Sequence, residues 1–309
     1  MAKKKRKSHW DKIFFLIVLS LFFLGIPGQN AYTVSSFGAK IYSPRIPSLP
    51  TPAPYPANTT GRYPGFDVTA EGVVVLDIDS GVFLFKRNEG ELLSPASTTK
   101  ILTALVALDS YNLDDIVTVK TVVNDGQVMG LVAGERITIE NLLFGALVHS
   151  GNDAAWALAE HYPGGVDSFV EAMNAKAQAL RLTKSTFTNP VGYDSPLHKM
   201  TPLDLARLGS IALGNKVIAK MVAIPQITVS DVTHTYFHPL RNVNELLGKI
   251  PGVGGIKTGW TEEAKENLIT LFERDGHRLI LVVLKSGDRF GDTTKLIDWI
   301  FTNYKWESF

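Results

Sequence analysis

Ser97 and Lys100 stand three positions apart in Ser97-Thr98-Thr99-Lys100. Residues at that spacing share one face of a helix, so the amine would be carried to the hydroxyl. A serine hydroxyl is a weak nucleophile until a neighbouring base takes its proton, and a lysine held in its neutral form can be that base. No other serine in the chain has lysine three positions on. Taken alone the pair also describes a helix-capping Ser followed by a solvated Lys, and one such pair arises about once by chance at this length.

Two further clusters bear on the choice. Ser150-Gly151-Asn152 falls between a helical pattern ending at Val148 and another starting at Asp153. A loop between helices can aim a hydroxyl and a carboxamide into a cleft, although all three residue types also cap helices. Ser110-Tyr111-Asn112 has the same spelling but sits at the far end of the Ser97 helix, roughly 20 Å along, and cannot share that site. Lys257-Thr258-Gly259 follows Gly252, Gly254 and Gly255 and precedes Trp260. It reads as a strand whose glycines mark either the close approach of a ligand or a bulge. Each cluster is weak alone, whereas the three in this order are specific for an acyl-serine enzyme.

The elements that must position these residues are legible around them. Val73 to Ile78 and Val82 to Phe85, parted by Asp79-Ser80-Gly81, form one hairpin; Asn267 to Arg274 and Arg278 to Leu284, parted by Asp275-Gly276, form another. Between them, helical apolar spacing runs over Thr98 to Leu108, Thr138 to Val148, Asp153 to His161, Asp167 to Leu180 and Thr201 to Leu213. Thr201-Pro202 pairs a capping hydroxyl with proline at the first helical position. A last helix, Asp292 to Tyr304, puts Leu296, Trp299 and Ile300 on one face. The simplest closure is an α/β (α+β) fold in which both hairpins join one antiparallel sheet flanked by helices, with a helical lobe beside it and a cleft between.

Composition narrows the function classes. The first twelve residues carry +5 of a net charge of +1, which leaves the body weakly acidic at −4. Such a body offers no basic face to nucleic acid. The absence of cysteine excludes disulfides, thiolate zinc sites and a cysteine nucleophile. The basic run Lys3 to Lys7 is followed by the apolar stretch Ile13 to Ile26. Fourteen helical residues span roughly 21 Å against a bilayer core of roughly 30 Å, so residues 1–31 read as an export signal, cleaved or kept as an anchor. A proline-dense stretch from Tyr42 to Pro64 reads as a spacer, giving a linker over 32–66 and a catalytic domain over 67–305.

From about Val68 to Tyr304 the chain resembles the serine-type D-Ala-D-Ala carboxypeptidases of the low-molecular-mass penicillin-binding proteins, in the beta-lactamase/transpeptidase-like superfamily. The likeness rests on Ser94-Pro95-Ala96-Ser97-Thr98-Thr99-Lys100, Met129-Gly130-Leu131 with Gly134-Glu135, and Ser150-Gly151-Asn152-Asp153-Ala154-Ala155. It extends to Met173-Asn174, Asn189-Pro190 with Gly192, Asn242 with Asn244, and Gly255-Ile256-Lys257-Thr258-Gly259. The resemblance implies that Ser97 is acylated, with Lys100 as its base and Ser150 relaying a proton to the leaving amine. It also implies that Asn152 orients the substrate amide, that Lys257, Thr258 and Arg289 face the terminal carboxylate, and that Gly259 lets substrate lie along the strand. The backbone amides of Ser97 and Trp260 would form the oxyanion hole. No metal or cofactor is implied; the expected partners are peptidoglycan stem peptides, with beta-lactams as covalent inhibitors and a possible membrane attachment through the N-terminus.

The chain departs from the family pattern at Ala264-Lys265, where Ala-Gly is common, which puts the rim of the cleft in question. A β-lactamase would carry a Glu-x-x-Leu-Asn segment between Asn152 and Lys257, and none is present. An endopeptidase cutting cross-links shares the same acyl donor and stays open. A non-catalytic penicillin sensor would keep Ser97 as an acylation trap, but it also calls for a cytoplasmic or transmembrane signalling segment, for which the sequence offers only its short N-terminal stretch.

Overall fold

In the computed structural model, which describes residues 9–24, 53–64 and 67–308, the chain falls into two units, residues 1–50 and 51–309. The first contributes helix α1, His9–Leu24, of 16 residues. No helix among the described residues is long and apolar enough to cross a membrane. Both ends of the expected export segment, residues 1–8 and 25–31, and residues 32–52 and 65–66 of the expected linker lie outside the described residues.

The second unit opens with β1 (Tyr55–Asn58), β2 (Gly72–Asp77) and β3 (Phe83–Arg87). A 3-10 turn, Ala96–Thr99, runs into α2 (Lys100–Ser110). Next come β4 (Ile116–Thr118), β5 (Arg136–Thr138), α3 (Ile139–Leu147), α4 (Asn152–Glu160) and α5 (Gly165–Ala179). Helices α6 (Pro202–Gly214) and α7 (Lys216–Val222) lead to a ribbon of β6 (Gln226–Ser230) and β7 (Phe237–Arg241). The chain closes with β8 (Val253–Thr261), β9 (Lys265–Arg274), β10 (His277–Ser286), α8 (Arg289–Asn303) and β11 (Tyr304–Glu307).

The two expected hairpins do join into one sheet, in the order β3-β2-β10-β9-β8, with every neighbour antiparallel. Val75 sits opposite Leu281 and Val73 opposite Val283. Side chains alternate between faces with period two. Val74, Ile280, Val282 and Leu284 accordingly enter one core with the helical lobe, while Val73, Val75, Leu279, Leu281 and Val283 enter a second with Leu296, Ile297 and Ile300 of α8. Covering both faces is why β2 and β10 read as unbroken apolar runs.

Helix starts follow local chemistry. The Thr201 hydroxyl accepts from the Asp204 amide at 3.0 Å, with Pro202 at the first helical position, and the Thr138 hydroxyl accepts from the Asn141 amide at 3.2 Å. The expected 32–66 spacer needs a correction at its C-terminal end. Residues 55–58 are strand β1, paired antiparallel with β11 from Tyr55↔Glu307 to Asn58↔Tyr304. Pro56 does not prevent this, because a two-stranded ribbon has an outer edge that tolerates a missing N–H. Trp306 of β11 is anchored in turn, donating to Asp77 Oδ2 at 2.8 Å and stacking on His277 with centroids 4.2 Å apart.

Candidate active site

The 3-10 turn bearing Ser97 is fastened to the sheet from below. Asn267 of β9 donates to the Ser94 carbonyl at 2.8 Å while its Oδ1 accepts from the Lys285 amide at 2.8 Å. Strand β8 presses on the same turn from the side. A Cβ at Gly259 would lie 3.0 Å from Ala96 Cβ and the Pro95 carbonyl and 3.1 Å from Ser97 N, so the approach of β8 to Ser97 requires glycine.

Lys100, at the start of α2, is fully buried. Its Nζ lies 2.8 Å from Ser97 Oγ, 2.7 Å from Asn152 Oδ1 and 2.8 Å from the Val191 carbonyl. Burial foremost, and the charge of Lys257 next, hold this amine well below the ordinary lysine value; Asp153 opposes them more weakly. In the neutral form the amine keeps two N–H bonds, which Asn152 Oδ1 and Val191 O accept. The lone pair then faces Ser97 Oγ, the geometry of a base about to take the hydroxyl proton.

The Val191 carbonyl is delivered by a loop that Asn189 shapes. Asn189 Oδ1 accepts from the amides of Val191, Gly192 and Tyr193 at 3.2, 2.7 and 2.9 Å. Thr103 of α2 donates to the Pro190 carbonyl at 2.6 Å. Gly192 has φ +95°, and a Cβ there would stand 1.9 Å from the Ala96 carbonyl oxygen, so only glycine lets the loop lie on the Ser97 turn.

Ser150 closes the far side of the site. It is buried with φ +64°, a left-handed conformation that a serine adopts at some strain. Among the described residues its hydroxyl has no hydrogen-bond partner, which leaves it to face the cleft. Asn152, two residues on, is engaged at both ends: besides accepting from Lys100, its Nδ2 donates to the Asp125 carbonyl at 2.8 Å. Orienting a substrate amide, the role implied by resemblance, therefore requires Nδ2 to exchange the Asp125 carbonyl for a substrate carbonyl.

A cleft of about 580 Å³ opens above this machinery. Ser97, Ser150, Asn152, Thr258, Gly259, Trp260 and Arg289 line it, so seven of the nine side chains singled out from sequence share one cavity. Lys100 and Lys257 lie buried beneath its wall. Burial first, and the neighbouring Arg289 second, push the Lys257 amine down to about 7. Trp260 is 61% exposed on the rim. Arg289 begins α8, donates from Nη1 to the Gly259 carbonyl at 3.0 Å, and keeps a buried Nε with no partner. Arg289 lines the cleft, and its guanidinium is tied to the strand through the Gly259 carbonyl rather than left as a solvated charge. The rim near Ala264-Lys265 is closed by a bond from the Thr261 hydroxyl to Asp194 at 2.7 Å.

Sequence reasoning missed the backbone contributors. Val191 enters through its carbonyl, which carries no side-chain signal; the readable clue is Asn-Pro-x-Gly, an Asn poised to cap its own turn. The wall formed by Asp125, Gly126 and Gln127, and Val243 at one end, had no signal in type or spacing.

Comparison with known proteins agrees with the geometry. Residues 57–287 match the family model described as D-alanyl-D-alanine carboxypeptidase. D-alanyl-D-alanine carboxypeptidase DacB2 of Mycobacterium tuberculosis is 36% identical over 253 residues, covering 78% of this chain and 85% of that protein. For D-alanyl-D-alanine carboxypeptidase DacF of Bacillus subtilis the identity is 34% over 246 residues; the match covers 76% of this chain and 63% of that longer protein. Among solved structures, the Streptomyces K15 DD-transpeptidase superposes with a TM-score of 0.72 at 32% identity, over 77% of this chain and 98% of its own. With the family model matched across both lobes and the same fold in a relative of this identity, the chain belongs to the D-alanyl-D-alanine carboxypeptidase family.

Proposed function

We propose that this chain is a serine-type D-Ala-D-Ala carboxypeptidase that removes the terminal D-alanine from peptidoglycan stem pentapeptides. The observation that carries the reading is the Lys100 amine, buried, 2.8 Å from Ser97 Oγ and otherwise bound only to two acceptors. Ser97 Oγ attacks the carbonyl carbon between the two D-alanines as its proton passes to Lys100. The resulting oxyanion turns to the amides of Ser97 and Trp260. As the C–N bond breaks, the leaving amine takes up a proton through Ser150, whose hydroxyl is free to relay it. Lys257, Thr258 and Arg289 hold the carboxylate of the departing residue, and water then hydrolyses the acyl-serine.

On this reading the catalytic domain spans residues 67–305, extended toward the N-terminus by β1. It works outside the cytoplasm, delivered by the basic and apolar N-terminal segment, and beta-lactams acylate Ser97 as covalent inhibitors. The test is to incubate the protein with a pentapeptide ending in D-Ala-D-Ala and with cross-linked muropeptides, and to identify the products. Free D-alanine from the pentapeptide is expected. Cleavage confined to cross-links would replace the reading with an endopeptidase. Ser97→Ala is expected to abolish both D-alanine release and covalent labelling by a fluorescent penicillin, and labelling that survives removes Ser97 as nucleophile.

A further inference from the structure

The loop from Val119 to Glu135, between β4 and β5, supplies one wall of the cleft through Asp125, Gly126 and Gln127. Two of its bonds go to the residue that holds Lys100: Asn152 donates its backbone N–H to the Gln127 carbonyl at 2.7 Å and its Nδ2 to the Asp125 carbonyl at 2.8 Å. Asp153, the next residue, accepts from the amides of Met129, Gly130 and Leu131 at 2.9, 2.8 and 3.0 Å. Where this loop stands therefore decides where Asn152 stands.

From the opposite side the loop is held by one side chain of the β6–β7 ribbon. His238 is buried, with Nδ1 3.1 Å from the Met129 carbonyl and Nε2 2.7 Å from Glu135 Oε1. A backbone carbonyl only accepts, so Nδ1 carries a hydrogen, and an acceptor oxygen of Glu135 at Nε2 favours a second hydrogen there and with it the imidazolium. Glu135 completes the clamp, its Oε2 accepting from the Val132 amide at 2.9 Å. Met129 is the shared point, since its N–H goes to Asp153 and its carbonyl to His238.

We propose that His238 is a positioning residue for acylation: donating from both ring nitrogens, it fixes the 119–135 loop at the place where Asn152 meets Lys100. The charges facing the ring are those of Glu135 from the loop and Asp153 from α4, both of which favour the imidazolium. The bond to Glu135 is the largest influence and raises the ring above its ordinary value against the effect of burial. The proposal rests on Ser97 as nucleophile.

The test uses the full chain and a fluorescent penicillin, measuring the fraction of protein labelled at saturation and the rate of labelling separately. His238→Gln retains one uncharged donor nitrogen in place of the two ring nitrogens. It is expected to label to the same final fraction as wild type but about tenfold or more slowly, as befits loss of a charge-assisted bond that orders the site. An unchanged rate, with or without a smaller labelled fraction, makes His238 a purely structural clamp and overturns the proposal. If His238→Gln does not fold, Glu135→Gln is read by the same two measures, since it keeps an acceptor for one ring N–H but removes the charge that sustains the second. Wild type and Ser97→Ala run alongside: an unlabelled wild type or a labelled Ser97→Ala counts against the nucleophile, whereas an unchanged rate in the His238 and Glu135 variants counts against the clamp alone.

Discussion

The Val191 carbonyl and the Lys100 amine meet at 2.8 Å across 91 residues of sequence. This contact gives the amine one of its two acceptors and so determines which way its lone pair faces. The contact depends on a loop resting against the Ser97 turn with no space between, and Gly192 is where the two touch.

Gly192→Ala is the direct test of that dependence. A methyl group at φ +95° and 1.9 Å from the Ala96 carbonyl oxygen cannot be accommodated without lifting the loop. The expected loss is about 2–3 kcal/mol of stability, from a strained backbone and a displaced neighbour. Lifting the loop also withdraws Val191 O, so acylation of the molecules that remain folded should slow by about tenfold or more. Thermal unfolding and the rate of penicillin labelling check the two parts separately; a folded variant acylated at the wild-type rate would show that the Val191 contact is dispensable.

After burial, the charge of Lys257 is the second influence on the pH at which Lys100 becomes a base. With the second cation removed in Lys257→Met, Lys100 holds its proton more tightly and the rise of acylation with pH moves upward. Each unit of such a move leaves about a tenth of the neutral amine at a given pH below it. Because burial and Arg289 push the Lys257 amine down to about 7, the gap between variant and wild type should be widest below that pH and narrow above it. An uncharged thioester donor without a carboxylate is the right probe, since Lys257 also faces the carboxylate of peptide substrates. Superimposable pH profiles falsify the electrostatic role.

How much of this was legible beforehand divides along a physical line. Side chains that do chemistry announce themselves by type and spacing, which is why Ser97, Lys100, Ser150, Asn152 and the Lys257-Thr258-Gly259 strand gather around one cleft as the resemblance implied. Period-two and helical patterns were equally readable, and both hairpins and six helices fall within a few residues of their expected bounds. Groups that act through backbone atoms left no such mark, as Val191 and the Asp125–Gln127 wall show. The ribbon β1–β11 was hidden because Pro56 and its neighbours suggest a spacer, and only the partner strand 250 residues away makes them a strand.

His198 offers a stability signature of the same region. It is buried, and Nδ1 accepts from the Thr188 amide at 3.0 Å; Nε2 therefore carries the proton toward Thr99 Oγ1 at 2.9 Å. Burial, with the charge of Lys199 second, pushes its pKa down to about 4 from 6.5. The unfolded chain binds a proton at this ring more readily, so its contribution is complete above pH 6.5 and is lost as pH falls toward 4. The full loss amounts to about 3 kcal/mol. Denaturant unfolding from pH 7.5 to pH 4 should thus show a steeper decline in wild type than in His198→Gln, and parallel declines would mean that the ring takes up its proton alike in the folded and unfolded states.

Arg289 separates recognition of the carboxylate from the chemistry of acylation. One nitrogen, Nη1, is bound to the Gly259 carbonyl, and Nε is buried without a partner. The guanidinium lines the cleft and has donors beyond the one given to Gly259, so an anionic ligand there gains a charge-assisted bond. Arg289→Gln is therefore expected to lower kcat/KM for a D-Ala-D-Ala peptide by about tenfold to a hundredfold, the effect of one such bond. A thioester donor with no carboxylate never makes that bond, and its acylation should stay within about twofold of wild type. Equal losses on both donors would instead assign Arg289 to supporting Gly259 on β8, because a displaced strand disturbs every substrate alike.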